Sequence, residues 1–196
     1  EGIKDIPESA VLDCCESGST LRFLIPVACA LGVDTKFIGR GRLPQRPITP
    51  YLEEFPKHGV SFEYNNTMPF STNGKLTGGK FYVDGGISSQ FITGLLFALP
   101  LLEEDSEIIL TSHLESKPYV DITLGTLREH GCQVEETENG YFVKGGQNYM
   151  PFSGRVEGDY SQAAFFKVAN SLGSDIDIAG LSEKSFQGDK KIVEIC

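Results

Sequence analysis

Residues 83–94 read VDGGISSQFITG, and residues 95–102 continue as the apolar run LLFALPLL. A Gly pair, two Ser and a Gln therefore stand between a strand ending near Val83 and a helix opening at Ser89. Serine is a favoured helix N-cap, because its hydroxyl accepts from a free backbone N–H of the first turn. One cap does not need Gly85, Gly86, Ser88, Ser89 and Gln90 together. The stretch is either a plain strand-to-helix turn or a turn built to hold something polar.

The surrounding pattern shows that this turn is one of a set. Gly18 opens an apolar helix that ends at Leu31-Gly32, followed by an alternating strand over 35–39. Arg46-Pro47-Ile48 opens a second helix ending at His58-Gly59, and strands follow near 60–64 and 70–76. The same order returns some 71 residues later. Ser89 opens a helix ending near Leu102, 107–111 is a strand, and Lys117-Pro118-Tyr119 opens a helix ending at His130-Gly131. Residues 134–137 and 141–144 read as a hairpin with Asn139-Gly140 at the turn. A third copy starts at Glu157, with a helix to Leu172-Gly173, a strand over 175–180 and a second helix reached near Cys196.

Each unit thus reads β-α-β-α-β-β, an α+β architecture of α/β-like repeats. Gly32, Gly59, Gly131 and Gly173 sit where a left-handed residue terminates a helix. Pro47 and Pro118 sit at first-turn positions, where a missing N–H costs little. The first helix of each unit is apolar nearly all round, so these helices are expected in the core with the sheets outside.

Composition excludes several classes. The 196 residues carry a formal charge of −10, which argues against a nucleic-acid or anionic-membrane binder. That balance leaves room for an anionic small molecule held by a few placed cations. No apolar run reaches the length of a membrane span. Glu1-Gly-Ile-Lys lacks the basic start and apolar stretch of a signal peptide. Five Cys at 14, 15, 29, 132 and 196 form no metal-ligand spacing and point to a reduced, cytoplasmic protein, with Cys15 and Cys29 read as small buried hydrophobes. His58 and His130 precede helix-ending glycines and read as helix C-terminal charges or surface residues. Gly39-Arg-Gly-Arg lacks the Lys-Ser/Thr ending of a phosphate loop, and no nucleophile elbow is present.

Three equivalent turns open the first helices, at 16–20, 87–90 and 159–162. Helix starts offer free N–H groups and partial positive charge, which suit phosphate or carboxylate; plain capping is the competing reading. Arg46-Pro47 and Lys117-Pro118 place cations in first turns, against the helix dipole. An anion bound there supplies a reason; a solvated surface cation is the other reading. Arg42 adds charge nearby, and Ser116 and Tyr119 add hydroxyls beside the second opening.

Glu16-Ser-Gly-Ser-Thr-Leu-Arg-Phe resembles the Asn-Ala-Gly-Thr-x-x-Arg stretch of the 5-enolpyruvylshikimate-3-phosphate synthase family, with Glu16 in place of the usual Asn. Arg42-Leu-Pro-Gln-Arg-Pro-Ile resembles its Arg-Met-x-x-Arg-Pro-Ile segment. Ser88-Ser-Gln-Phe, Ser116-Lys-Pro-Tyr-Val-Asp-Ile-Thr-Leu, Val143-Lys-Gly-Gly-Gln, Val156-Glu-Gly-Asp-Tyr-Ser-Gln-Ala-Ala-Phe-Phe and Phe186-Gln-Gly-Asp follow in family order across essentially the whole chain.

The resemblance implies two lobes of three such units each, and a reaction without metal or organic cofactor. The enolpyruvyl group of phosphoenolpyruvate passes to the 5-hydroxyl of shikimate 3-phosphate, and phosphate is released. It places Ser88, Ser89, Gln90, Ser116 and Tyr119 on shikimate 3-phosphate, and Gly18, Arg46 and Gln90 on phosphoenolpyruvate; Arg22 is carried only as part of its motif. The family's early Lys-Ser-x-x-x-Arg segment and its later acidic residues have no match here, so no catalytic acid or base is assigned and the chain alone is expected to be catalytically incomplete. Residues 1–155 are expected to hold two units of one lobe, and 156–196 the crossover and the start of another. The full-length family member is expected to be a monomer. Two alternatives stand: a UDP-N-acetylglucosamine enolpyruvyl transferase relative, and a non-catalytic repeat domain that self-associates through uncovered apolar faces.

Overall fold

The computed structural model describes residues 5–196, so residues 1–4, read above as no signal peptide, lie outside the described residues. The first unit runs β1 (Ser9–Asp13), α1 (Gly18–Leu31), β2 (Asp34–Ile38), α2 (Thr49–Glu54), β3 (Ser61–Glu63) and β4 (Phe70–Asn73). The second runs β5 (Gly79–Val83), α3 (Ser89–Ala98), β6 (Ser106–Leu110), α4 (Lys117–Glu129), β7 (Val134–Thr137) and β8 (Gly140–Val143). After them come α5 (Tyr160–Ser171) and the short α6 (Ile192–Ile195).

The two sheets share one topology, β1-β2-β4-β3 and β5-β6-β8-β7. In each, the first two strands are parallel across a helical crossover and the rest pair antiparallel. Small contacts repeat as well. Asp34 Oδ1 accepts from Gly74 N at 3.2 Å, and Asp105 Oδ1 from Gly145 N at 3.0 Å. His58 Nδ1 lies 3.2 Å from the Gly78 carbonyl, and His130 Nδ1 lies 3.0 Å from that of Met150. Each histidine thus ties the end of its unit's second helix to the chain leaving that unit, a role more specific than a helix-end charge.

Helix caps match the sequence pattern. Ser17, Ser88 and Asp159 each accept from first-turn N–H groups of α1, α3 and α5. Gly32, Gly59, Gly131 and Gly173 take φ of 70°, 86°, 80° and 101°. The apolar run after Ser89 is α3 plus a 3-10 turn over Leu99–Leu101, buried on nearly every side. Helices α1, α3 and α4 form the inner layer, α3 between the other two. Among the described residues no helix is long and apolar enough to cross a membrane.

The closest approach in this layer is between α1 and α3. Any side chain at Gly94 would run into Tyr51 Oη and the Arg22 carbonyl. Tyr51, from α2, is fully buried there and shares its hydroxyl proton between the Arg22 carbonyl at 2.7 Å and the Phe91 carbonyl at 3.1 Å. Burial holds that proton on the phenol, raising its pKa well above the ordinary value.

Five expectations are corrected. The first helix of the third unit, α5, lies outside the core, with only Tyr160 and Ala163 buried and Phe165 73 % exposed, because the inner helices do not pack on it. The second helix of the first unit opens at Thr49, not at Arg46-Pro47. Pro47 disfavours helical backbone at Arg46, which is extended (ψ 134°), and Pro50 takes the first-turn position instead. The hairpin loop is Glu138-Asn139, because Thr137 pairs with Gly140. Cys15 is exposed in the β1–α1 turn with φ 50°, and it is Cys14 that joins Cys29 in the core. Residues 175–180 form no strand. β2 and β6 are each held along both edges by ladder bonds, whereas this segment makes one backbone–backbone bond, Gly158 N to the Gly180 carbonyl at 2.7 Å, and Ile176 is tied instead to the Asn170 side chain.

The α1–α3 contact makes Gly94→Ala an overpacking change. It is expected to lower the unfolding free energy by about 1–3 kcal/mol, read from the midpoint of urea denaturation. A midpoint equal to the parent's would contradict the close approach.

Candidate functional site

Because α1 and α3 pack closely and start at equivalent repeat positions, their N-termini meet. Gln90 Nε2 donates to Ser19 Oγ at 2.9 Å, a bond between residues 71 apart that occupy the same place in successive units. Gln90 Oε1 accepts from Arg22 Nη1 at 2.8 Å. Arg22 Nη2 donates to the Pro47 carbonyl at 3.1 Å, and its guanidinium lies 4.7 Å from the centre of the Phe91 ring. Arg22 is only 8 % exposed, and its Nε has no hydrogen-bond partner.

Gly18 borders this cluster. A Cβ on it would stand 2.7 Å from Arg46 Nη1, so the missing side chain is what admits the guanidinium to the start of α1. Burial and then the like charge of Arg46 make Arg22 a weaker base than an ordinary arginine. Among the described residues no ion pair is formed by Arg22, Arg42 or Arg46. Two guanidinium groups and two helix starts thus share one small patch of an acidic chain. Such a patch suits an anion, since bound negative charge would relieve the repulsion and meet the free N–H groups.

The sequence-derived residues lie on the joined openings of α1, α3 and α4. Gly18, Arg46 and Gln90 come together, with Ser88 capping α3 through Gln90 N at 3.3 Å and Ser89 buried in its first turn. Ser116 and Tyr119 line an open cavity of about 1070 Å³ between α4 and residues 152–189, and the turn leading to Ser116 is joined to the turn leading to Ser88 by Glu115 N donating to the Gly85 carbonyl at 3.2 Å. None of Ser88, Ser89 and Gln90 lines it. Ser116 precedes α4 with φ 60° and makes no side-chain cap, and Tyr119 is 56 % exposed.

The cation at the α4 opening has a local explanation, against the expectation of a bound anion. Lys117 Nζ pairs with Asp121 at 2.6 Å and Glu136 at 3.3 Å, and the hydrogen bond to Asp121 is the main cause of its raised pKa. The i,i+4 spacing to Asp121 was readable in the sequence. Superposing the repeats position by position pairs Ser19 with Gln90, whereas no sequence signal points to Arg22 as a neighbour of Gln90.

The fold and this patch define a class: repeated β-α-β-α-β-β units whose core helices bring their N-termini together beside arginine. The model for EPSP synthase (3-phosphoshikimate 1-carboxyvinyltransferase) matches residues 1–196, and the chain belongs to that family. It is similar to a protein named 3-phosphoshikimate 1-carboxyvinyltransferase from Clostridioides difficile, 50 % identical over 186 residues, covering 94 % of this chain and 43 % of the relative. The protein of that name from Clostridium beijerinckii is 46 % identical over 199 residues, covering 100 % of this chain and 46 % of the relative. An EPSP synthase structure from Acinetobacter baumannii superposes with a TM-score of 0.75 at 22 % identity, covering 97 % of this chain and 42 % of that one. The chain therefore spans less than half the length of the relatives it matches. The family model and the relatives reported all carry the shikimate-branch name.

Gly18→Ala is expected to push Arg46 off the start of α1. Affinity for inorganic phosphate, followed by calorimetry, should fall roughly tenfold, the size expected for one hydrogen bond to a charged group. Unchanged affinity would contradict the role given to the Gly18 gap.

Proposed function

We propose that this chain is the part of an enolpyruvyl transferase that holds the anionic ends of two substrates. In the reaction, the donor's C2–oxygen bond to phosphate is replaced by a bond to the 5-oxygen of shikimate 3-phosphate. Phosphate leaves, and overall the hydroxyl proton ends on the phosphate released. The convergence of Gly18, Arg46 and Gln90, with Arg22 behind them, is the observation that carries this reading. Gly18, Arg46 and Gln90 are assigned to phosphoenolpyruvate, where an arginine fork fits a carboxylate or phosphate bidentately. Ser88, Ser89, Gln90, Ser116 and Tyr119 are assigned to shikimate 3-phosphate, with hydroxyl and amide donors for its oxygens. No acid or base is assigned within the chain.

On this reading, residues 1–155 supply two repeat units of one lobe and 156–196 enter the next. Five free cysteines among the described residues fit a reducing cytoplasm. Self-association is a second reading, favoured by exposed apolar residues on and just after α5, where Phe165 and Leu172 are 73 % and 83 % exposed.

Calorimetric titration with shikimate 3-phosphate tests the assignment. The parent chain should give saturable heat, and a Ser88→Ala/Gln90→Ala variant should bind at least about tenfold more weakly. Equal heats from both, or none from the parent, would remove the pocket. Heats of dilution that grow with chain concentration in place of saturable binding would support self-association.

A further inference from the structure

We propose that Arg22 is a positioning residue that fixes the Gln90 amide so that it offers an N–H, never its carbonyl oxygen, to a ligand at the joined helix starts. Arginine has donors only, so the atom of Gln90 facing Arg22 Nη1 at 2.8 Å must be the oxygen Oε1. That leaves Nε2 toward Ser19, where Ser19 Oγ accepts one of its two hydrogens at 2.9 Å. The other Nε2–H has no protein partner among the described residues, and Gln90 is only half-buried. It is the one donor hydrogen of the amide left free to meet a ligand, with the oxygen turned toward the guanidinium.

Turning the amide over would set donor against donor at Arg22 and leave a buried guanidinium without its acceptor. Arg22 cannot follow the turn. Its second Nη is held by the Pro47 carbonyl, its guanidinium lies over the Phe91 ring, and the side chain is 8 % exposed. The same hydrogen bond reaches the residue directly after Arg46. One buried guanidinium therefore ties together the loop bearing Arg46 and the amide on α3. The ligand met by this N–H must present an acceptor oxygen, as an anionic or ether oxygen does.

The test rests on the reading of this patch as the phosphoenolpyruvate site, and two arms separate the claims. In the first, without ligand, the Gln90 side-chain ¹⁵N–H₂ signal is identified by its loss in Gln90→Glu. It should move clearly in Arg22→Met while the backbone amide spectrum away from α1 and α3 stays in place. An unmoved signal would overturn the orienting role, whatever binds. In the second arm, parent and Gln90→Glu are titrated with phosphoenolpyruvate. A carboxylate at position 90 still accepts from Arg22, so the thermal midpoint should be kept, yet it has no N–H to offer and affinity should fall tenfold or more. A Gln90→Glu chain that binds as tightly as the parent would overturn the donor claim even if Arg22→Met fails to fold. Absence of binding by the parent would count against the substrate assignment, with the first arm still deciding the orientation.

Discussion

The contact on which the rest of the structure depends is the one between α1 and α3 at Gly94. Without a side chain there, the Arg22 carbonyl and the Tyr51 hydroxyl sit against α3, and Tyr51 bonds to a carbonyl on each helix. The two helices are equivalent parts of successive units, so close packing brings equivalent residues face to face. Ser19 meets Gln90 for that reason. The helix starts gather at one end because the repeat and the packing leave them nowhere else to go.

That gathering has an electrostatic consequence. The chain as a whole is acidic, but Arg46 stands close enough to Arg22 to disfavour the charge of that buried guanidinium. Arg22 offsets its burial through the Gln90 oxygen, the Pro47 carbonyl and the Phe91 ring, leaving Nε unmatched. Arg46 stays exposed beside the gap left by Gly18. On the proposed reading, the buried cation orients and the exposed cation binds, a division of labour suited to taking up and releasing anions. At the corresponding place in the second unit, Lys117 is neutralised by Asp121 and Glu136, so the repeat carries the cation forward without the same use.

Much of this fold was readable from spacing. α1 spans the predicted residues, α4 opens at Lys117, and the helix-ending glycines take the left-handed backbone expected of them. These features are local, set by caps, glycine and proline. The failures were contests between local signals, or features settled only by packing. Two prolines compete for the start of α2, and Pro50 prevails. Residues 175–180 alternate like a strand, but alternation cannot supply a neighbour on the second edge. Of the site, the motif residues Gly18, Arg46 and Gln90 were legible through family resemblance. Arg22 reads as a polar interruption of an apolar helix until α3 and the Pro47 loop close around it.

The most direct measurement is a double-mutant cycle between Ser19→Ala and Gln90→Ala, read by urea denaturation. If the α1–α3 contact joins the two helix starts as described, the pair should show a coupling of about 0.5–1.5 kcal/mol. Effects that add to within about 0.3 kcal/mol would mean that the helix starts do not meet, and would contradict the account of the site built on them.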